Sequence, residues 1–257
     1  MMHAIIVGFL LLTGLAVGSF LNVCIYRLPR RESLLWPASH CTVCQRPLAW
    51  YENLPVVGWL ALRGRCRTCR SPIPAMYPIV EALTAAVFVS GYLIYGWTPL
   101  LAVRLLFACA MIVLFVIDLR HRILPNVITL PGTVLGFVFS LFLPPGWISS
   151  LIGLLAGGGV LFGIAELYYR VRGHEGLGMG DVKMLAMIGA FLGWPLMLLT
   201  LVLASFAGSL VGMGLIASRR GGMKAALPFG TFLAVGALVA AVAGDAILDW
   251  YLSFYRQ

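Results

Sequence analysis

Charged side chains are scarce in this chain. They make up 11% of its 257 residues, while hydrophobic residues reach 61%, against roughly 25% charged in ordinary soluble domains. That balance excludes a soluble globular protein and requires a chain that crosses a lipid bilayer several times. Positive charge is missing ahead of the first apolar segment, Ala4–Cys24, whereas Arg27, Arg30 and Arg31 follow it. A cleavable secretory signal has the reverse order. The segment is therefore expected to remain as a helix with its N-terminus outside. An internal repeat of the kind that many transporters show is also missing. The net charge of +9 does not point to nucleic acid, because the basic residues lie between apolar runs, where they report topology.

Eight apolar runs are present, at about 4–26, 77–95, 99–118, 124–143, 148–169, 182–194, 196–217 and 229–251. Most reach the ~20 residues that a spanning helix needs. The sixth is too short to cross a ~30 Å core at ~1.5 Å per residue. Either it spans a thinned region or residues 176–181 already lie within the membrane. The loops 27–76, 119–123, 170–183 and 218–228 carry 8, 2, 3 and 3 Lys/Arg, or 16 of the 18, and only Arg104 and Arg256 fall on the other side. The positive-inside rule then makes these loops cytoplasmic and both termini external. The fold class is an all-α polytopic membrane protein of about eight transmembrane helices. It divides into a first helix (1–26), a cytoplasmic loop (27–76) and a membrane domain (77–257).

The few acidic residues differ in their settings. The run Gly176-Leu177-Gly178-Met179-Gly180-Asp181-Val182-Lys183 delivers a carboxylate to the start of an apolar helix, and Asp118 closes the apolar run before the loop 119–123. On the deduced topology both lie at the cytoplasmic level. A carboxylate at the rim of a membrane is costly unless it faces protein or a water-filled cavity. Asp181 gains from the helix N-terminus, but Asp118 sits at the unfavourable C-terminal end. Two carboxylates sharing one site hold one proton near neutral pH and suit acid–base chemistry. Gly178 and Gly180 would let a substrate backbone lie close to Asp181. Glu81, one turn into the second helix, is a further candidate for the same cavity. Glu166 and Arg170 are spaced for a helical ion pair, and Asp245 and Asp249 lie near the outer end of the last helix.

The loop 27–76 holds Cys41-x2-Cys44, then 21 residues, then Cys66-x2-Cys69. Two such pairs suit tetrahedral Zn²⁺. The alternative, two disulfides, conflicts with a reducing cytoplasmic loop. Four thiolates close the shell, so the metal is structural and His40 is a bystander. The loop has prolines at 29, 37, 47, 55, 72 and 74 and is too small for a substantial core, so a metal clip would be what holds its shape. Trp36, Trp50 and Trp59 are expected at the headgroup layer. Cys24 and Cys109 read as small apolar residues.

Several segments together resemble the bacterial type IV prepilin peptidases, bifunctional leader peptidases and N-methyltransferases of the GxGD class of intramembrane aspartyl proteases. They are Gly18-Ser19-Phe20-Leu21-Asn22-Val23 with Tyr26-Arg27-Leu28-Pro29, Ser39-His40-Cys41 and the four cysteines, Glu52-Asn53-Leu54-Pro55, and Tyr77-Pro78-Ile79-Val80-Glu81. Asp118, Leu124-Pro125-Asn126 and Gly178-Met179-Gly180-Asp181-Val182-Lys183 complete the set. Family members often carry Asp where Asn126 stands. The resemblance implies Asp118 and Asp181 as the catalytic dyad, in the inner membrane, cutting the basic leader from prepilin or pseudopilin N-termini of a pilus or type II secretion system. It also implies S-adenosyl-L-methionine as methyl donor, although no glycine-rich cofactor loop marks its place. The partners implied are these precursors and the bilayer, with no nucleic acid. The alternative from another class is a proton- or cation-coupled transporter using Asp118 and Asp181 as relay carboxylates. A zinc-bearing membrane scaffold without chemistry is a further alternative.

Overall fold

The computed structural model describes residues 1–173, 178–218 and 227–254. Gly176 and Leu177 of the glycine-rich run, and the topology-reporting Arg219, Arg220, Lys224 and Arg256, lie outside the described residues. The helices are α1 (Met2–Arg27), α2 (Val57–Ala61), α3 (Met76–Tyr95), α4 (Pro99–His121), α5 (Asn126–Ser140), α6 (Trp147–Arg172), α7 (Met179–Ala217) and α8 (Phe229–Ser253), with no β-strand among the described residues. Six of them (α1, α3, α4, α6, α7 and α8) are long and apolar enough to cross a bilayer. The protein is thus an all-helical, multi-pass membrane protein.

The eight expected runs all carry helix, and three differ in detail. The run at 124–143 yields only the 15 residues of α5, shorter than the other membrane helices. The runs at 182–194 and 196–217 form α7 end to end, interrupted by non-helical backbone at Gly193 (φ 79°, ψ 170°). Only glycine takes that conformation without strain, and a side chain there would strike Ser149 and Pro145. Pro195 follows, whose ring is tolerated where a helix restarts.

Two compact units divide the chain, residues 1–105 and 106–257. In the first, α1 lies on α3 through Gly14 and Gly18, spaced one helical turn apart. A Cβ on either would sit 2.6 Å from the Cα of Ala85 or Glu81. Without side chains at these two positions the backbones reach van der Waals contact, which is how helices associate where lipid removes the hydrophobic drive. Between α1 and α3, the loop is organised by two buried polar anchors. Arg27 donates to the carbonyls of Ser33 and Pro37 at 2.9 and 2.6 Å. Arg46 donates to both oxygens of Glu52 at 2.8 Å, and the Ala49 amide adds a bond of 2.9 Å. These two donors, Arg46 first, hold the Glu52 carboxyl below the ordinary carboxylate range. Of the three tryptophans, Trp36 and Trp50 are exposed. Trp59 is instead a part of the loop, donating to the Ile73 carbonyl at 3.0 Å and covering Gly64.

In the second unit the N-terminal half of α7 is the centre. Met184, Leu185, Met187, Ile188 and Ala190 are fully buried, because α5, α6 and α8 all pack on α7. Neighbouring helices thus cover most of this short segment. Small residues set the spacing again. Gly153 and Gly157 of α6 face the backbone of α7 at Gly189 and Leu185, and Ser150 donates to the Ala190 carbonyl at 2.7 Å. Gly132 and Gly136 of α5 make room for Met187 and Phe191, and Phe191 stacks at 5.1 Å on Phe107. Gly189→Ala is expected to lower thermal stability by roughly 1–3 kcal/mol, since its Cβ meets the Gly153 carbonyl. Gly163→Ala on α6, with open space at its Cβ, should instead gain about 0.5–1 kcal/mol from helix propensity. Thermal unfolding of the two purified variants in one detergent checks both signs.

Candidate active site

Asp118 lies in the last turn of α4 and is 5% exposed. At a helix C-terminus a carboxylate faces partial negative charge, so something must offset it. The first turn of α8 does so. The Thr231 amide donates to Asp118 Oδ2 at 2.7 Å, and the Thr231 hydroxyl donates to the same oxygen at 3.0 Å. Amides in a first helical turn have no carbonyl within their own helix. Asp181 is the third residue of α7, and its amide donates to the Gly178 carbonyl at 3.0 Å. Its half-buried carboxylate lies beside the amides of Gly178 and Gly230, close enough to Asp118 for the two charges to repel. Adjacent residues of α8, Gly230 and Thr231, therefore each hold one of the two aspartates.

Gly180 and Gly230 share a second neighbour. A Cβ at Gly180 would lie 3.0 Å from Leu124 Cβ, and one at Gly230 2.9 Å from Leu124 Cδ1 and 3.0 Å from Asp118 Oδ2. Leu124 thus fills the notch between them, and Gly180 is needed for that contact. Gly178 is exposed, and among the described residues a Cβ there would meet only Asp181 Oδ2 at 3.4 Å and Gly180 N at 3.9 Å, which makes it the less crowded of the two glycines. Asn126 accepts from Lys183 Nζ at 3.0 Å, a tie between the starts of α5 and α7. Sequence reasoning missed Leu124, Gly230 and Thr231 as site residues. A faint signal existed: Pro228-Phe229-Gly230-Thr231 opens the last apolar run as a helix start does, opposite two aspartates with no cation assigned to them.

The other acidic residues sort differently. Glu166 and Arg170 form the expected ion pair at 2.7 Å. Asp245 and Asp249 are exposed, the former about 21 Å along α8 from Thr231. Glu81 belongs to the first unit, where it is 7% exposed and its Oε2 accepts the Val56 amide at 2.7 Å.

Cys41, Cys44, Cys66 and Cys69 come together, all sulfurs within 4.8 Å of one another. Cys41 and Cys69 are 3.8 Å apart and Cys44 and Cys66 4.0 Å. Four sulfurs about 2.3 Å from a tetrahedral metal are separated by about 3.8 Å, so the group could hold a metal ion. None of the four is in a disulfide. The two halves are built alike. In each, a bridge joins the residue before the first cysteine to a proline six residues on from that cysteine, His40 to Pro47 and Arg65 to Pro72. The residue after the second cysteine has positive φ in both, Gln45 and Arg70 at 58°. Amides point at the sulfurs, and the Cys44 amide above all brings the Cys41 thiol down to about 6. The repeated Cys-x2-Cys-x2-Pro pattern was the signal for this symmetry. His40 takes no part, its Nδ1 lying 2.9 Å from the Ala38 carbonyl.

Comparison with known proteins bears on both units. Residues 12–95 match the bacterial peptidase A24 N-terminal domain, and residues 105–213 match the type IV leader peptidase family. A prepilin leader peptidase/N-methyltransferase of Aeromonas hydrophila is 39% identical over 271 residues, covering 94% of this chain and 92% of that protein. Proteins of the same name from Pseudomonas putida and Pseudomonas aeruginosa are 38% and 35% identical, over 91% and 95% of this chain and 89% and 92% of theirs. No solved structure matches the chain. With two family matches in chain order and relatives of this identity along nearly its whole length, the chain belongs to the bacterial type IV leader peptidase family.

Proposed function

We propose that the chain cleaves the leader peptide from type IV prepilins or pseudopilins at the cytoplasmic face of the bacterial inner membrane, and then N-methylates the new N-terminal residue. The observation that carries the reading is the first turn of α8, in which Thr231 holds Asp118 and Gly230 holds Asp181. Two carboxylates so close share one proton. The ionised member takes a proton from water while the protonated member hydrogen-bonds the scissile carbonyl, and the roles reverse as the leaving amine is protonated. No covalent intermediate is needed. Gly178, open above Asp181, is where a substrate backbone approaches. Family membership weighs against the relay-transporter alternative.

In this reading the basic loops and the dyad are cytoplasmic and both termini external. Residues 1–26 are the first transmembrane helix, 27–76 the zinc-holding loop and 77–257 the membrane peptidase region. Zn²⁺ fits the four thiolates, whose sulfur spacing is that of a tetrahedral shell with no open position. When bound it clips the two cysteine turns together, and no step of the cleavage passes through it. S-adenosyl-L-methionine supplies the methyl group.

The dyad is tested by cleavage of a prepilin N-terminal peptide by purified variants with thermal stability recorded alongside. Asp118→Asn and Asp181→Asn should each abolish cleavage in a folded protein, and the double variant should be no worse, because residues acting as a unit are non-additive. Substantial cleavage by folded Asp181→Asn would sink the aspartyl-protease reading.

Thr231 gives a finer test. Thr231→Val keeps the amide bond to Asp118 but removes the hydroxyl, and should slow cleavage about 10-fold. Thr231→Ser should restore most of the rate.

For the metal, elemental analysis of the purified chain should find about one zinc per molecule. Cys44→Ser or Cys66→Ser should lose it and release the loop. Methylation should fall more than cleavage, since the dyad belongs to the other unit. Unchanged metal content after replacing all four cysteines would remove the zinc assignment.

A further inference from the structure

The first unit encloses a cavity of about 510 Å³ between the C-terminal half of α1, the start of α3 and the loop. That is within the roughly 300–1,000 Å³ of small-molecule sites. One wall offers acceptors. The Glu81 carboxylate accepts the Val56 amide at 2.7 Å, and Ser19 and Asn22 lie within hydrogen-bond reach of it. Asn22 is 3% exposed. Its Nδ2 donates to the Tyr77 carbonyl at 3.0 Å, which fixes the orientation of the amide, and its Oδ1 is buried without a partner. A buried orphan acceptor calls for a donor.

The cations at the cavity do not supply it. Arg27 is bound to the Ser33 and Pro37 carbonyls, Arg67 to the Tyr51 hydroxyl, and Arg46 through Nη2 to Glu52, which leaves the buried Nε of Arg46 as a donor without a partner. The backbone at the acceptor wall is also under tension. Val56 has φ +60° and ψ −51°, while the Val57 amide donates to the Pro55 carbonyl at 2.6 Å across this three-residue turn. A β-branched residue seldom takes such a conformation, and here Glu81 grips its amide. Strain held in place at a cavity wall points to a functional site.

We propose that Glu81 and Asn22 form the amine pocket for methyl transfer, receiving the free α-ammonium of a hydrophobic peptide N-terminus. This rests on the methyltransferase part of the function proposed above. The Glu81 carboxylate and the orphan Oδ1 of Asn22 accept two of the three ammonium hydrogens. Glu81 then removes one proton, and the freed nitrogen lone pair bonds to the sulfonium methyl carbon of S-adenosyl-L-methionine. The C–S bond breaks with its electron pair left on sulfur, giving S-adenosylhomocysteine and a methylated ammonium, and Glu81 passes its proton to water. Trp59 and Tyr77 also line the cavity, and aromatic rings are the side chains that attract a sulfonium.

The test uses the full-length purified chain with a hydrophobic peptide bearing a free N-terminal amine and its N-acetylated counterpart. Glu81→Gln keeps an acceptor for the Val56 amide but can neither hold a proton nor balance an ammonium. It should cut the ratio of methylation to cleavage about 100-fold, the scale of a lost general base. Peptide binding in the presence of S-adenosylhomocysteine is the second readout. The wild-type chain should favour the free amine over the acetylated peptide by about 10-fold, and Glu81→Gln and Asn22→Leu should each erase that preference. Wild-type methylation by Glu81→Gln, or a preference that survives in both variants, overturns the assignment while leaving the proposed function intact. A wild-type chain that cleaves but never methylates overturns both the methyltransferase reading and this pocket.

Discussion

The bond from the Thr231 amide to Asp118 is the contact on which the second unit is arranged. It joins the end of one membrane helix to the beginning of another and answers a charge that the α4 terminus alone would reject. Once α8 is fixed there, the preceding residue, Gly230, presents its amide to Asp181. The alternative way to make a carboxylate tolerable in a membrane is a basic side chain. Here the Thr231 amide and hydroxyl bind Asp118 directly, and the charge of Arg122 adds to them. Backbone amides stabilise negative charge without donating a full positive one.

The glycine contacts serve the same end. Polar groups buried among helices are positioned only as well as the helices are, and helices in lipid approach closely only where side chains are absent. Gly14 and Gly18 fix α1 on α3 beside Glu81, as Gly153 and Gly157 fix α6 on the half of α7 that carries Asp181. A backbone-to-backbone contact cannot slide by fractions of a residue without a clash, so the charged residues inherit its precision. In the loop, where no such helical contact exists, Arg46–Glu52 and the paired cysteine turns take over the task.

Much of this was legible in the sequence, for definite reasons. Asp118 and Asp181 stood out because an isolated carboxylate at the edge of an apolar run is a conflict visible in one dimension. The cysteines were legible because metal geometry imposes a spacing, and the Glu166–Arg170 pair because helical geometry does. The break at Gly193 divides runs that the sequence also separates near Trp194-Pro195, but whether a break ends a helix or merely bends it depends on what packs outside, here Pro145 and Ser149. The role of Gly230 and Thr231 was hidden because it is carried mainly by backbone amides, which every residue but proline possesses. Trp59 resembled the other two loop tryptophans in sequence and differs from them only through a fold that turns its ring inward to Ile73.

Leu124 deserves a last consideration. It is seated between two residues reduced to bare backbone, one on each side of the carboxylate pair. Those three positions, 124, 180 and 230, are matched in volume like a tenon in its mortise. Enlarging any one of them displaces another, so drift at one position would require simultaneous compensation at the rest. Adaptation of such an enzyme to new precursors is thereby steered away from this triangle and toward positions that touch neither the aspartates nor their anchors.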